Sequence, residues 1–210
     1  MFMRKIAITG GIASGKSKLS NFLRSKGEVV IDLDEISHTL TDSDEDTIHT
    51  ILETFGDDIK RKSGGIDRKL LASKIFSDSE SKKQLEEILH PRIRQKMMDE
   101  INSVKKDNVF VEVQLLAEKN MAQMFDHIII ISTPKEEQIN RLLNKRMMDP
   151  DLINQILDSQ FTDEERKNQL NKYPNDILEN SESEENFQVK IESLYITLIN
   201  QQPLDYIAIN

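Results

Sequence analysis

A buried-looking strand that breaks into a glycine loop and resumes as an amphipathic helix is the feature of this chain that leaves least choice of fold. In "KIAITGGIASGKSKLSNFLRSK", Lys5–Thr9 reads as an apolar strand, and Gly15–Lys26 reads as a helix with Leu19, Phe22 and Leu23 on one face. Gly10, Gly15, Lys16 and Ser17 satisfy G-x-x-x-x-G-K-[ST]. In such a loop the glycines let backbone N–H groups curl round phosphate oxygens, and the following helix aims its positive end at them. Lys16 would reach the outer phosphates and the Ser17 hydroxyl would ligate Mg2+. Gly11, Ala13, Ser14 and Lys18 complete the expected nucleotide cradle. Ile12 stands where a dinucleotide fingerprint requires glycine, so that type of loop fits less well.

Strand–helix–strand continues with Gly27 as a C-terminal cap and "EVVID" (Glu28–Asp32) as a second strand, a unit suited to a parallel sheet. "NVFVEV" (Asn108–Val113), "HIIIIS" (His127–Ser132) and "LDYIAI" (Leu204–Ile209) supply three more strands. The expectation is an α/β P-loop NTPase fold, with a parallel five-stranded sheet flanked by helices. Asp44–Lys105 reads as a helical stretch in the pieces "TIHTILETFG", "DRKLLASKIFS", "SKKQLEEIL" and "PRIRQKMMDEI", too long for a simple crossover helix. A second helical insertion runs from Lys135 to about Leu178, and Glu179–Glu185 reads as a solvated loop. The expected organisation is a nucleotide-binding core of residues 1–40, 106–140 and 181–210, a helical acceptor subdomain of residues 41–105, and a helical lid of residues 141–180.

Composition narrows the function. Among 210 residues, 28 Lys and Arg face 37 Asp and Glu, a net charge of −9, which argues against a nucleic-acid binder. There is no cysteine, so thiolate nucleophiles and Cys-based zinc sites are excluded. The longest pure aliphatic run, Ile128–Ile131, is far short of a membrane span. "MFMRK" does not open a signal peptide. A protein of the cytoplasm, bound to neither nucleic acid nor membrane, is expected.

A GTP switch would carry N-K-x-D, but "NKRM" (Asn144–Met147) lacks the aspartate. A small kinase needs a carboxylate at the acceptor hydroxyl and cations over the transferring group. "VIDLDEIS" offers Asp32 and Asp34, two apart on what reads as extended backbone and therefore on one face; the simpler reading is that such an aspartate caps the next helix. Arg141, Lys145 and Arg146 fall at i, i+4 and i+5 on a helix, either over the phosphates or on a solvated face.

These residues resemble the dephospho-coenzyme A kinase family, over most of the chain. "TGGIASGKS" is similar to that family's nucleotide loop and "VIDLDEISH" to its D-x-D segment. "GGIDRKLLASKIFSDSESKKQLEEILHPRIR" (Gly64–Arg94) resembles its acceptor-domain signature, "VQLLAEKN" its P-L-L-x-E segment, and "DILENSES" its closing turn, which includes Asn180. The resemblance implies ATP with Mg2+ as cofactors and dephospho-CoA as substrate, phosphorylated on its 3′-hydroxyl in the last step of coenzyme A biosynthesis. It implies Asp34 as the catalytic carboxylate, with Asp32 supporting it near the metal, and Lys16 and the lid residue Arg141 on the phosphates. Lys145, Arg146 and Asn180 fall on nucleotide positions. Asp67, Arg68, His90, Arg94, Leu115 and Glu118 fall on acceptor positions. Local rules offer another reading for two of these: Asp67 as a helix cap, and His90-Pro91 as a cap followed by proline in the first helical position.

The chain also departs from the family pattern. Ala13 replaces a glycine, which the loop tolerates if φ stays negative. Lys18 replaces a threonine, Gln114 replaces the proline of P-L-L, and Lys145 replaces an arginine whose bidentate fork a lysine cannot make. The alternatives are another small-molecule or nucleoside monophosphate kinase of the same fold, or a regulatory protein that keeps the loop without the transfer.

Overall fold

The computed structural model describes residues 3–75 and 78–200. Five strands form one sheet: β1 (Arg4–Gly10), β2 (Val30–Asp32), β3 (Asn108–Glu112), β4 (His127–Ser132) and β5 (Asn175–Glu179). Their spatial order is β2-β3-β1-β4-β5, and β1 runs parallel to both β3 and β4. Ile8 lies level with Glu112 on one side and Ile129 on the other. The aliphatic runs are continuous rather than alternating because both faces of these central strands are covered. On one face, Ile6, Ile8, Phe110, Ile129 and Ile131 join Leu19 and Leu23 of α1 (Lys16–Ser25) with Phe187 and Ile191 of the closing helix, Glu184–Asn200. Residues of the other register, Ala7, Val109, Val111, Ile128 and Ile130, are wholly buried as well.

The fifth strand is not the one expected from the sequence. β5 lies inside the stretch read as helical up to Leu178 and pairs parallel with β4, from Ile128↔Asn175 to Ser132↔Glu179. "NDILE" buries only Leu178 deeply and leaves Ile177 about half exposed, as an edge strand does, so its apolar signal is weak. Leu204–Ile209 lies outside the described residues.

Between β2 and β3 the chain forms α2 (Leu33–Ser43), α3 (Glu45–Phe55), a 3-10 turn (Asp57–Ile59), α4 (Arg68–Ile75) and α5 (Ser79–Ser103). Residues Asp32–Val104 form a compact unit of their own, distinct from the sheet-bearing unit. Its core is Ile51, Ile59, Ile66 and Leu71, packed by Phe55, Leu85, Ile88 and Leu89. Helix starts are marked by aspartate caps. Asp44 accepts from the Thr47 backbone N–H and hydroxyl, and those bonds hold its carboxyl below the usual range.

Three expectations are corrected here. Helix begins already at Leu33, so Asp32 and Asp34 do not share an extended backbone: Asp32 ends β2 and Asp34 sits in the first turn of α2. The two pieces expected on either side of His90-Pro91 are one helix of 25 residues, with Pro91 in its interior. Pro91 has no N–H to give the carbonyl four residues back, and such a proline costs about 3 kcal/mol. Pro91 is exposed, and the apolar face that carries Leu85, Ile88 and Leu89 is what outweighs it. His90 therefore lies mid-helix and not at a helix start.

After β4 come α6 (Lys135–Arg146), α7 (Pro150–Asp158) and α8 (Asp163–Leu170), then β5 and α9 (Glu184–Asn200). Among the described residues no helix is long and apolar enough to cross a membrane.

Candidate active site

The phosphate loop joins β1 to α1, and its conformation follows from what holds its carbonyls. Ser14 O accepts from Thr133 Oγ1 at 3.0 Å and Asn180 Nδ2 at 2.7 Å, and Ala13 O accepts from Arg141 at 3.2 Å. A trans peptide points its N–H away from its C=O, so the Ser14–Gly15 peptide turns its N–H from these donors toward the mouth of α1. No side chain among the described residues caps α1, so the positive end of the helix faces the loop without a capping side chain, as an anion site requires. Gly15 is required here: its φ is +113°, and a Cβ would lie 2.5 Å from Asn180 Nδ2. Ala13 has φ +57°, against the condition under which alanine would sit comfortably.

Lys16 is nearly buried, with Nζ donating to Gly10 O at 2.9 Å and Gly11 O at 3.0 Å. The exposed Ser17 follows it on α1. Arg141, on α6, serves the carbonyl side of the loop: besides Ala13 O it reaches Asn180 O and Oδ1 at 3.1 and 3.2 Å. It also lines a hollow of about 430 Å3 with Ala13, Lys18, Asn144, Lys145 and Asn180. Lys18 turns to α9, donating to Glu184 O at 2.8 Å and lying over the Phe187 ring. Lys145 pairs with Glu184 at 2.7 Å and holds that carboxyl below its usual range. Arg146 is exposed at the last residue of α6.

In the helical unit, Asp32 Oδ1 accepts from Asp34 N at 2.9 Å and Glu35 N at 3.4 Å, the capping geometry, and leaves Asp34 exposed on the first turn. Asp67 caps α4 in the same way through Lys69 and Leu70 N–H, and Arg68 is exposed beside it. His90 and Arg94, one turn apart on α5, line a groove of about 520 Å3 with Glu87, Pro91 and Met98.

Leu115 and Glu118 belong to the other unit, in the turn after β3. That turn forms without its proline, and Gln114 O accepts from Thr9 Oγ1. Leu115 is half-buried. Glu118 is turned to protein: its Oε1 accepts from Phe161 N at 2.9 Å and lies 3.4 Å from the buried Arg166.

Sequence reasoning did not find Thr133, Gln138, Gln160 or Glu112. Gln138 packs its amide against Gly11 and donates to Thr133 O at 2.7 Å. Gln160 Oε1 accepts from Ile12 N at 3.0 Å. Glu112, at the end of β3, accepts from Ser20 of α1 at 2.6 Å. Glutamines in a stretch dense with charge and amide carry no local signal, and only the fold brings them to the loop.

Comparison with known proteins agrees with this geometry. The family model described as dephospho-CoA kinase matches residues 4–186. The dephospho-CoA kinase of Fusobacterium nucleatum is 33% identical over 194 residues, covering 92% of this chain and 97% of its own. That of Vibrio parahaemolyticus is 29% identical over 191 residues, covering 90% and 92%. Among solved structures, dephospho-CoA kinase from Campylobacter jejuni superposes with TM-score 0.69 at 28% identity, covering 92% of this chain and 96% of its own. A shikimate kinase from Bacteroides thetaiotaomicron, 15% identical with TM-score 0.51 over 94% of this chain and 99% of its own, shares the fold alone. With the model spanning the phosphate loop, the helical unit and the turn that ends at Asn180, the chain belongs to the dephospho-CoA kinase family.

Proposed function

We propose that this kinase transfers the γ-phosphoryl group of ATP to the 3′-hydroxyl of dephospho-CoA, giving coenzyme A and ADP, the last step of coenzyme A biosynthesis. The observation that carries the reading is the N-terminus of α1, without a capping side chain, behind a loop whose Ala13 and Ser14 carbonyls are held by Arg141, Thr133 and Asn180, with Lys16 inside it. Loop N–H groups take the inner phosphates. The Lys16 ammonium reaches the outer ones from its seat on the Gly10 and Gly11 carbonyls, adding charged acceptors to neutral ones. The hollow lined by Arg141, Asn144 and Asn180 takes the nucleoside end, so Arg141 serves ATP by bracing the loop.

Mg2+ suits the oxygen chemistry of Ser17 and the phosphates. Among the described residues no cluster of three His, Cys, Asp or Glu could cage a metal. Bound there, it would neutralise charge on the outer phosphates.

Asp34 aligns the acceptor hydroxyl and takes its proton late, which a carboxylate can do because a loose transition state demands little early deprotonation. Asp32 orients Asp34 by capping the turn that bears it. Residues 32–104 serve as the acceptor unit, where Arg68 and Arg94 provide cations suited to the diphosphate of dephospho-CoA, and His90 shapes the groove. Residues 141–174 serve as the lid, its expected C-terminal end being drawn back because β5 belongs to the sheet. The cytoplasm is the assigned compartment.

The test is ADP release coupled to a spectrophotometric readout, with dephospho-CoA, AMP, CMP and shikimate compared as acceptors. Turnover is expected with dephospho-CoA alone, and Asp34→Ala should lower kcat about 10^2- to 10^4-fold. No turnover with that acceptor would overturn the substrate, and full activity of Asp34→Ala would overturn the assigned base.

A further inference from the structure

One peptide unit of the phosphate loop is held at both ends by side chains. The carbonyl of the Gly11–Ile12 peptide accepts from Lys16 Nζ at 3.0 Å, and its N–H donates to Gln160 Oε1 at 3.0 Å. A hydrogen bond at each end of an amide polarises the other, so the two reinforce each other. From these two bonds we infer that Gln160 is a positioning residue for Lys16: it fixes the orientation of the peptide on which the ammonium rests before it engages the outer phosphates of a nucleotide. Without that acceptor the peptide is held through its carbonyl alone, by Lys16 and by the Ser14 backbone N–H at 3.2 Å, and its orientation is less well fixed.

Gln160 is itself held. It immediately precedes Phe161, whose N–H donates to Glu118 at 2.9 Å and whose carbonyl accepts from Arg166 at 2.8 Å. Arg166 is 1% exposed and pairs with Glu118. One residue further on, Thr162 and Glu165 form a reciprocal cap on α8. The backbone at Gln160 is therefore set by the end of α7 before it, where its N–H donates to Leu157 O at 3.2 Å, and by a buried ion pair and a helix start after it. Lysine position, loop and the α7–α8 segment form one connected arrangement. Glu118, expected at the acceptor, anchors this clamp.

The inference rests on the reading that the loop holds the ATP triphosphate, and a double-mutant cycle separates the two. Dissociation constants for ATP and AMP are measured by titration calorimetry on wild type, Gln160→Met, Lys16→Met and the double variant, with thermal unfolding of each. Methionine keeps the length and removes the acceptor. Gln160→Met should weaken ATP about 3- to 10-fold, the size of one hydrogen bond, leave AMP unchanged, and lower the unfolding midpoint by about 1–6 °C, since the same bond is lost from the unliganded fold. In the Lys16→Met background the same change should have no further effect on ATP. Equal losses in both backgrounds, or a loss shared by AMP, would overturn the inference and make Gln160 a brace of the fold. Undiminished ATP affinity in Gln160→Met overturns it outright. Failure of the wild type to bind ATP would overturn the nucleotide reading first, and the inference with it.

Discussion

Ala13 stands where the family resemblance leads one to expect glycine, and its backbone carries a cost for it. With φ +57° it sits in the left-handed region, which costs an L-residue about 1–2 kcal/mol. Glycine relieves that strain but adds about 0.4–1 kcal/mol of unfolded-state entropy to be lost on folding. Ala13→Gly should therefore stabilise the protein by about 0.5–1 kcal/mol and raise the unfolding midpoint by about 1–4 °C, measured by calorimetry. A lower midpoint would show that the alanine methyl packs usefully in the loop. Lys18 and Lys145, two more departures, both have their ammonium groups on Glu184. The first residue of α9 thus holds both cations at the rim of the Arg141 hollow.

Between elements, α1 and α9 cover the same face of the sheet and meet through Phe22 and Tyr195, whose rings stand edge to face 5.6 Å apart. The Tyr195 hydroxyl donates to Glu28 at 2.9 Å, in the segment that leads from α1 into β2. Burial, then the bond to that carboxylate, raise the phenol above its ordinary value. The folded protein therefore holds the phenolic proton more tightly than the unfolded chain does. The stabilisation is complete below the unfolded phenol pKa of about 10 and is lost as pH rises through the higher folded value. Tyr195→Phe should cost about 1 kcal/mol at neutral pH. Its stability should then fall less steeply than wild type above about pH 10, followed by urea unfolding across pH. Parallel curves for the two proteins would remove this contact from the account.

At the scale of the whole molecule, two units with separate cores share one chain, and nucleotide is expected to act through the sheet-bearing one. A ligand that binds only the folded state at 100 times its dissociation constant adds about 2.7 kcal/mol. For a chain of this length that is a rise of about 5–11 °C in unfolding midpoint. ATP should produce it in the wild type, and Lys16→Met should lose most of it while unfolding near the unliganded wild type. A shift that survives Lys16→Met would place the nucleotide elsewhere.

What the sequence determined by itself was whatever local chemistry spells out. The loop with Lys16 and Ser17, the strands β1, β3 and β4 with their unbroken aliphatic runs, and the family resemblance from Gly64 to Arg94 were all legible. Their signals are carried by adjacent residues and need no partner to be read. Everything whose reason lies across the chain had to wait for the closed fold. β5 is a strand because β4 offers it an edge, and α5 runs through Pro91 because its apolar face is buried. Asp32 is a cap because helix begins at Leu33. Arg141, Glu118 and Gln160 found their roles at the loop through partners between 39 and 148 residues away in sequence. Side-chain hydrogen bonds over such separations leave no periodicity to read, since the residues that make them are neighbours only after the core has closed.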